Sequence, residues 1–196
     1  MSKTLNKSKL HFSVLIGTVL LSTGCTTQPE ETPIVYKNVV YSADARVANY
    51  FDDQYIIYKN LFSDFDVVRV GPQEIKITVP SSYGFAVAKS TLNRDMRNRL
   101  ATLSRTLKDY KETSIWIHGH TDSQGNYPYN LKLAQARANS VEHELVLNRV
   151  NRDRIKTVAE SYEMPRCTNE TKIGRDCNRR VEIIIRSNTL TEPLYK

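Results

Sequence analysis

The sequence contains few of the residues that usually carry catalysis or bind metals. Its 196 residues include only three cysteines and four histidines, and no Gly-x-Ser-x-Gly motif is present. His118 and His120 have the spacing of a metal-binding pair, but zinc sites need further ligands, and only His143 follows in the chain. We therefore interpret the pair as structural, with the imidazoles bonded to backbone. We expect no catalytic residue, no metal, no cofactor and no enzymatic activity.

The apolar run LHFSVLIGTVLL is too short to span a bilayer. Lysines at positions 3, 7 and 9 precede it and STGC follows it, so residues 1–24 are predicted to be a signal peptide. The residues before Cys25 resemble the lipobox of bacterial lipoproteins, although Ser22 stands where leucine is usual. This resemblance implies that Cys25 is acylated and becomes the first residue of the mature chain. An ordinary secretory signal is the alternative.

The same region predicts where in the cell the protein is located. Removing residues 1–24 deletes three lysines and no acid, so the formal charge falls from +7 to +4. Thr26 stands where similar lipoproteins of the inner membrane have aspartate, which implies lipid anchoring to the outer membrane, facing the periplasm. In that oxidising compartment we expect Cys167 and Cys177, ten residues apart in a polar loop, to form a disulfide. Two free thiols are the alternative.

The predicted mature chain begins with a polar linker, residues 25–33, and an aromatic segment, residues 34–66. Apolar residues between Asp44 and Phe62 recur at helical spacing, which predicts an amphipathic helix. They are Val47, Phe51, Tyr55, Tyr58 and Phe62. This aromatic face is predicted to be either ordinary core or a surface for a partner.

Residues 67–187 alternate between strand and helix patterns. VVRVGPQEIKITV predicts a hairpin, and apolar spacing from Met96 to Tyr110 predicts a helix with Asn93 as its N-cap. TSIWIHG predicts a strand, Ala134 to Leu145 a second helix, and RRVEIII a last strand. The order predicts an α/β (α+β) sandwich with helices on one side of a mixed sheet. Residues 188–196 are predicted to be a tail.

Three polar residues suggest a binding site. Asn130 and Arg137 are seven residues apart on the second helix and share a face, while Asp122 follows the preceding strand. An arginine can bind a carboxylate with two hydrogen bonds, and an aspartate can hold an ammonium. A fixed cation and a fixed anion together suit a zwitterion. Taken singly, Asp122 could be a turn former, Arg137 a solvated helix residue and Asn130 a cap.

The motifs HGHTDSQG, Tyr129-Asn130, AQARANSV and GRDCNRRVEIII together resemble the OmpA-like peptidoglycan-binding domain, across residues 67–187. The resemblance implies a β/α sandwich that holds the peptide stem of peptidoglycan non-covalently. It implies that Asp122 and Arg137 grip the ammonium and carboxylate of diaminopimelate. Further ligand contacts are implied for Thr121, Asn130, Arg179 and Arg180, the last two within a motif that begins at Asn178.

The chain departs from the family pattern in two loops. Ala86 and Ala88 stand where polar residues are usual, and Ala159 and Ser161 lie near the positions of usual glycines. The resemblance implies a tether between outer membrane and peptidoglycan. The alternative is a wall-anchored assembly factor for an envelope complex such as a flagellar motor, secretion system or pilus, docking through residues 44–62. Arginines of the first helix of the domain are expected to be a solvated face, so no nucleic-acid partner is expected.

Overall fold

The structure is a computed structural model that describes residues 35–36, 39–40, 45–86 and 88–188. The strands are β1 Val35–Tyr36, β2 Val39–Val40, β3 Asp66–Gly71, β4 Glu74–Pro80, β5 Thr113–His120, β6 Ile155–Ser161 and β7 Arg180–Ser187. The helices are α1 Ala45–Leu61, α2 Ser81–Gly84, α3 Arg94–Asp109, α4 Tyr127–Leu147 and α5 Lys172–Asn178. Within these ranges, no helix has the length and apolarity needed to cross a bilayer. The predicted signal peptide, Cys25 and the tail beyond residue 188 lie outside the described residues.

Five strands form one mixed sheet in the order β3-β4-β7-β5-β6, and β1 pairs with β2 separately. Strands β5 and β6 are parallel, whereas the other pairs of the large sheet are antiparallel. Parallel neighbours need a crossover connection, which is usually a helix, and α4 occupies that connection. The predicted mixed sheet is confirmed, including the hairpin of β3 and β4.

One face of the sheet carries the core. Every second residue of the three central strands points to this face, and the apolar side chains among them are at most 1% exposed. They are Ile75, Ile77, Val79, Ile115, Ile117, Val181, Ile183 and Ile185. Buried leucines of α3 and the apolar stripe of α4 belong to the same cluster, so the helices cover one side as predicted. Each such side chain contributes about 1.5–3 kcal/mol through burial.

Helix α1 is part of this core. Phe51, Tyr58 and Phe62 are fully buried within the same cluster, and the hydroxyl of Tyr58 donates to Gln54 Oε1 at 3.0 Å. Burial raises the pKa of Tyr58, as expected for a phenol far from water. The predicted helix is confirmed, and its aromatic face packs inward. On its outward side, Ile56 is exposed.

Asparagine side chains begin both long helices of the domain. The predicted N-cap of α3 is confirmed, because Asn93 Oδ1 accepts from the backbone N–H of Met96 at 2.8 Å. The N-cap of α4 is Asn126, which accepts from the N–H of Tyr129 at 2.9 Å. The alternative of Asn130 as a cap is therefore wrong. Helices α2 and α5 were not predicted, since they are short and lack an apolar stripe.

The histidines of β5 lie on the face of the sheet opposite the helices. His118 Nδ1 contacts Glu160 Oε1 at 2.7 Å, and His120 is 3% exposed with neither ring nitrogen hydrogen-bonded within the described residues. The predicted backbone bonding of these imidazoles is therefore wrong. Burial, and next the positive charge of Arg180, lower the pKa of His120 to about 3, against the opposing effect of Glu182. His120 is a neutral, buried imidazole.

Candidate ligand-binding site

Strand β5 and helix α4 approach each other unusually closely beside the predicted site. A Cβ added to Gly119 would lie 2.1 Å from the carbonyl oxygen of Ala134, which belongs to the backbone of α4. Only glycine allows this approach. Because Asp122 lies just beyond β5 and Arg137 lies one helical turn beyond Ala134, the contact sets the spacing of the two charged residues.

Asp122 is nearly buried and both of its oxygens are engaged. Its Oδ1 accepts from the backbone N–H of Gln124 at 3.1 Å, as in a turn, and its Oδ2 is ion-paired with Nη1 of Arg179. The N–H of Thr121 donates to the carbonyl of Ser161 at 2.7 Å. The hydroxyl of Thr121 is buried and has no hydrogen-bond partner among the residues described. A ligand polar group beside Asp122 would supply that partner.

Asn130 lies on the first turns of α4 and is 2% exposed. Its Nδ2 donates to the carbonyl of Gln124 at 2.8 Å, which fixes the loop between Asp122 and α4. Gly125 in that loop has a φ of +91°, a backbone conformation that glycine adopts without strain. Asn130 therefore holds the loop that carries Asp122.

Arg137 is the most unusual residue of the site, because its guanidinium is buried without an acidic partner. It is 3% exposed, and within the described residues no carboxylate lies within 4.0 Å of it. Its Nε donates to the carbonyl of Lys89 at 3.1 Å, its Nη1 donates to Ser81 Oγ at 3.2 Å, and the ring of Phe85 lies 5.4 Å away. These contacts fix the orientation of the side chain.

The charge of Arg137 interacts with the other charged residues of the site. Burial lowers the pKa of Arg137 most, and the positive charge of Arg179 lowers it further. Tyr129 and Asp122 act in the opposite direction. Arg137 stays protonated at any ordinary pH, so the site holds a cation that the protein only partly neutralises.

The loop between α2 and α3 contributes a backbone carbonyl to the site as well as the ring of Phe85. Ala88 has a φ of 55°, in the left-handed region that polar residues such as asparagine adopt more easily than alanine. The next residue, Lys89, presents the carbonyl that accepts from Arg137. The second departure from the family pattern is similar, since Ser161, which lies near the usual glycines, has a φ of 52°. Both loops keep conformations in which glycine or asparagine is more common.

The two arginines at the start of β7, Arg179 and Arg180, have different surroundings. Arg179 is ion-paired with Asp122 and with Asp176. Arg180 lies on the sheet face opposite the helices, where its Nε donates to Glu182 Oε1 at 2.8 Å and it is buried. The structure therefore brings Thr121, Asp122, Arg137 and Arg179 together. It does not bring Arg180 to them, and this placement does not support the predicted ligand contact of Arg180.

A disulfide-closed loop supports this arrangement. The predicted bridge between Cys167 and Cys177 is confirmed, with a Cα–Cα distance of 6.1 Å. Directly after the loop, Asn178 Oδ1 accepts from the N–H of Cys167 at 2.9 Å, and its Nδ2 donates to Asn169 Oδ1 at 3.0 Å. Asn169 Oδ1 also accepts from the N–H of Ser123 at 3.2 Å, next to Asp122. The loop is thus connected to the anionic end of the site.

The arrangement suits binding. Among the residues described, no three histidine, cysteine, aspartate or glutamate side chains are grouped so as to hold a metal ion. A buried guanidinium fixed by two acceptors offers its remaining N–H groups to a carboxylate, and charge-assisted bonds of this kind are about twice as strong as neutral ones. Asp122 supplies a negative charge nearby. The geometry therefore fits a ligand that carries both a carboxylate and an ammonium.

Comparisons with known proteins agree with the fold. Residues 84–179 match the model of the OmpA family. The chain is 34% identical over 119 residues to the probable lipoprotein YiaD of Escherichia coli (strain K12), which covers 61% of this chain and 54% of that protein. For five curated relatives the matched region spans between 28% and 60% of their length.

Two solved structures are also similar. The cell wall anchor of the T6SS from Pseudomonas aeruginosa matches with 25% identity and a TM-score of 0.57, over 72% of this chain and 97% of that one. The peptidoglycan-associated lipoprotein from Burkholderia pseudomallei matches with 26% identity and a TM-score of 0.50, over 56% and 89% of the two chains. The family match includes β5, α4 and the disulfide-closed loop, which together build the site, so residues 84–179 of the chain form an OmpA family domain.

Proposed function

We propose that this protein binds the peptide stem of peptidoglycan non-covalently, by gripping diaminopimelate, and thereby tethers the outer membrane to the cell wall. The observation that carries the proposal is the buried guanidinium of Arg137, which has no acidic partner among the described residues and lies near Asp122. A buried charge without a counter-ion costs stability, so a ligand carboxylate that neutralises it is strongly favoured.

The second charge of the ligand has a matching group. Diaminopimelate carries an ammonium and a carboxylate on one carbon, so a carboxylate at Arg137 brings the ammonium within reach of Asp122. The buried hydroxyl of Thr121 provides a neutral hydrogen-bonding group beside it. The names of two similar proteins, a cell wall anchor and a peptidoglycan-associated lipoprotein, support the same class of ligand.

The test is binding of purified protein to sacculi and to soluble stem peptides. Removing either charge leaves a ligand charge partly desolvated and unpaired, a loss on the order of 2–4 kcal/mol. Asp122→Ala and Arg137→Ala should therefore each weaken binding roughly thirty-fold to several-hundred-fold. Arg137→Lys keeps the charge but loses the planar pair of donors, so it should recover only part of the affinity.

A matched control is Arg152→Ala, because Arg152 is a largely exposed arginine in the turn before β6. It should bind sacculi like the unmodified protein. Circular dichroism and a melting curve establish that each variant is folded. If folded Asp122→Ala and Arg137→Ala both bind sacculi normally, another surface carries the function and the proposal fails.

The location proposed for this activity is the periplasmic side of the outer membrane, with Cys25 as the lipid-bearing residue. The similar lipoproteins of other bacteria support an envelope location. No enzymatic step is proposed. Service in an envelope machine through residues 44–62 stays a prediction. Because Phe51, Tyr58 and Phe62 pack inward, such docking would use the outward side of α1, where Ile56 is exposed.

A further inference from the structure

Arg179 is shared between two carboxylates. Its Nη1 is ion-paired with Asp122 Oδ2, and its Nη2 is ion-paired with Asp176 Oδ1. The side chain of Arg179 is 31% exposed and that of Asp176 is 40% exposed, whereas that of Asp122 is only 9% exposed. Asp122, the proposed holder of the ligand ammonium, therefore already has an internal counter-ion.

The main chain of Arg179 is fixed independently of its side chain. Its N–H donates to the carbonyl of Arg175 at 3.0 Å, and its own carbonyl accepts from the N–H of Ser81 at 2.8 Å. Ser81 is also the residue whose hydroxyl accepts from Arg137. Because the backbone is held at both ends, the guanidinium can change partners by rotation of the side chain alone.

The distribution of charges around the site is uneven. Asp122 has one cationic partner, Arg179 has two anionic partners, and Arg137 has none among the described residues. A ligand ammonium at Asp122 competes with Arg179 for the same carboxylate, and Arg179 can remain paired with Asp176 when it leaves. Burial and the positive charge of Arg179 both lower the pKa of Arg137, because the two guanidinium groups repel each other.

We propose that Arg179 is a specificity-determining residue, which admits zwitterionic stem residues to Asp122 and discriminates against residues that carry an ammonium alone. A zwitterion displaces Arg179 from Asp122 but brings a carboxylate that neutralises Arg137 and attracts Arg179. A plain amine displaces Arg179 and offers neither arginine an anion. This role rests on the proposed function and adds a mechanism of selection to it.

The test compares two stem peptides that differ only at the third residue, one with meso-diaminopimelate and one with lysine, which lacks the distal carboxylate. Titration calorimetry measures both with the unmodified protein and with Arg179→Gln, which removes the charge and keeps a polar, though shorter, side chain. Arg179→Gln should bind the lysine peptide on the order of three- to tenfold more tightly than the unmodified protein does. Its affinity for the diaminopimelate peptide should not rise, so the ratio of the two affinities shrinks.

Asp176→Asn is the matched variant with the opposite effect. It removes the second partner of Arg179, which leaves Asp122 as the only carboxylate for this guanidinium among the described residues. Affinity for the lysine peptide should therefore fall below that of the unmodified protein. This variant also keeps the proposal testable if Arg179→Gln does not fold.

The outcomes separate the two proposals. If the unmodified protein binds neither peptide and no sacculi, the proposed function is refuted. If it binds the diaminopimelate peptide normally, but Arg179→Gln weakens both peptides equally or changes neither, Arg179 is a plain ligand contact or a structural residue. The selective role is then overturned while the binding function stands. A shift of the affinity ratio in opposite directions in the two variants supports it.

Discussion

Gly119→Ala should weaken both the fold and the binding site, because of one close approach between β5 and α4. The added Cβ would lie 2.1 Å from the carbonyl oxygen of Ala134 and 2.7 Å from its carbonyl carbon. Non-bonded carbon atoms are normally about 3.5–4.0 Å apart, so α4 has to move away by roughly 1 Å or more. The obstacle is helix backbone and cannot rotate aside as a side chain would.

The size of the effect follows from this displacement. Forcing an extra carbon into a well-packed region costs about 1–3 kcal/mol, and occasionally more. Gly119 is not in the left-handed region, so no backbone strain adds to this cost. For a chain of this size the loss corresponds to a melting temperature lower by about 2–12 °C.

The same displacement should reduce affinity. Helix α4 carries Asn130 and Arg137, while β5 leads directly to Asp122, so moving the helix separates the two charges of the site. Binding groups have to be held within about 0.5 Å of their productive positions. At a temperature where the variant remains folded, we expect weaker binding of the diaminopimelate peptide, measured by titration calorimetry alongside a thermal melt.

Gly84→Ala is the matched control, because its added Cβ would lie 3.5 Å from the side chain of Met96, an ordinary contact. Its melting temperature and affinity should stay close to those of the unmodified protein. If Gly119→Ala melts and binds like Gly84→Ala, the helix is not held to the strand by this contact. The explanation of how the site keeps its spacing would then be wrong.

Two further predictions concern acid stability and membrane attachment. Burial lowers the pKa of His120 to about 3, whereas an unfolded histidine titrates near 6.5, so protons favour the unfolded state as the pH falls below 6.5. Urea unfolding should show a loss of up to about 2 kcal/mol by pH 5, which His120→Gln removes and the exposed His143→Gln does not. An unchanged slope in His120→Gln would exclude this residue as the cause. Cys25→Ser should move the protein from the membrane fraction to the soluble periplasm, and unchanged attachment would contradict the predicted lipid anchor.

Periodicity was sufficient to predict the main elements of the fold. The helix predicted between Asp44 and Phe62 is Ala45–Leu61, since aromatic residues at helical spacing have to bury one face. The pattern gave no indication of which surface covers that face. In the structure, Phe51 and Tyr58 share one core with the inward residues of β3 and β4.

Elements without an apolar stripe were missed because periodicity detects only helices and strands that bury an apolar face. Helix α5 consists of Lys172–Asn178 and buries Gly174 and Asn178, neither of which is apolar in the usual sense. A Cβ on Gly174 would lie 1.9 Å from the carbonyl oxygen of Thr168. This helix is formed by packing within the disulfide-closed loop, which no local pattern reveals.

The motif residues of the site were predicted, whereas most of the contacts that hold them were not. Asp122 and Arg137 lie in recognisable motifs, but the partners of Arg137 are Ser81 and the carbonyl of Lys89, 56 and 48 residues earlier in the chain. A backbone carbonyl has no signature in sequence. The burial of Arg137 was also missed, since an arginine on a helix is usually solvated.

These missed contacts are the basis of the proposed selectivity of the site. Arg137 is held by neutral acceptors, Ser81 Oγ and the carbonyl of Lys89, so its positive charge is positioned without being cancelled. Asp122 is held by a charged partner, Arg179, so its negative charge is cancelled until that partner moves. A ligand carboxylate can therefore bind Arg137 directly, whereas a ligand ammonium has to compete with Arg179 for Asp122. The proposed preference for a zwitterion follows from this asymmetry, which depends on residues spread across the chain from Ser81 to Arg179.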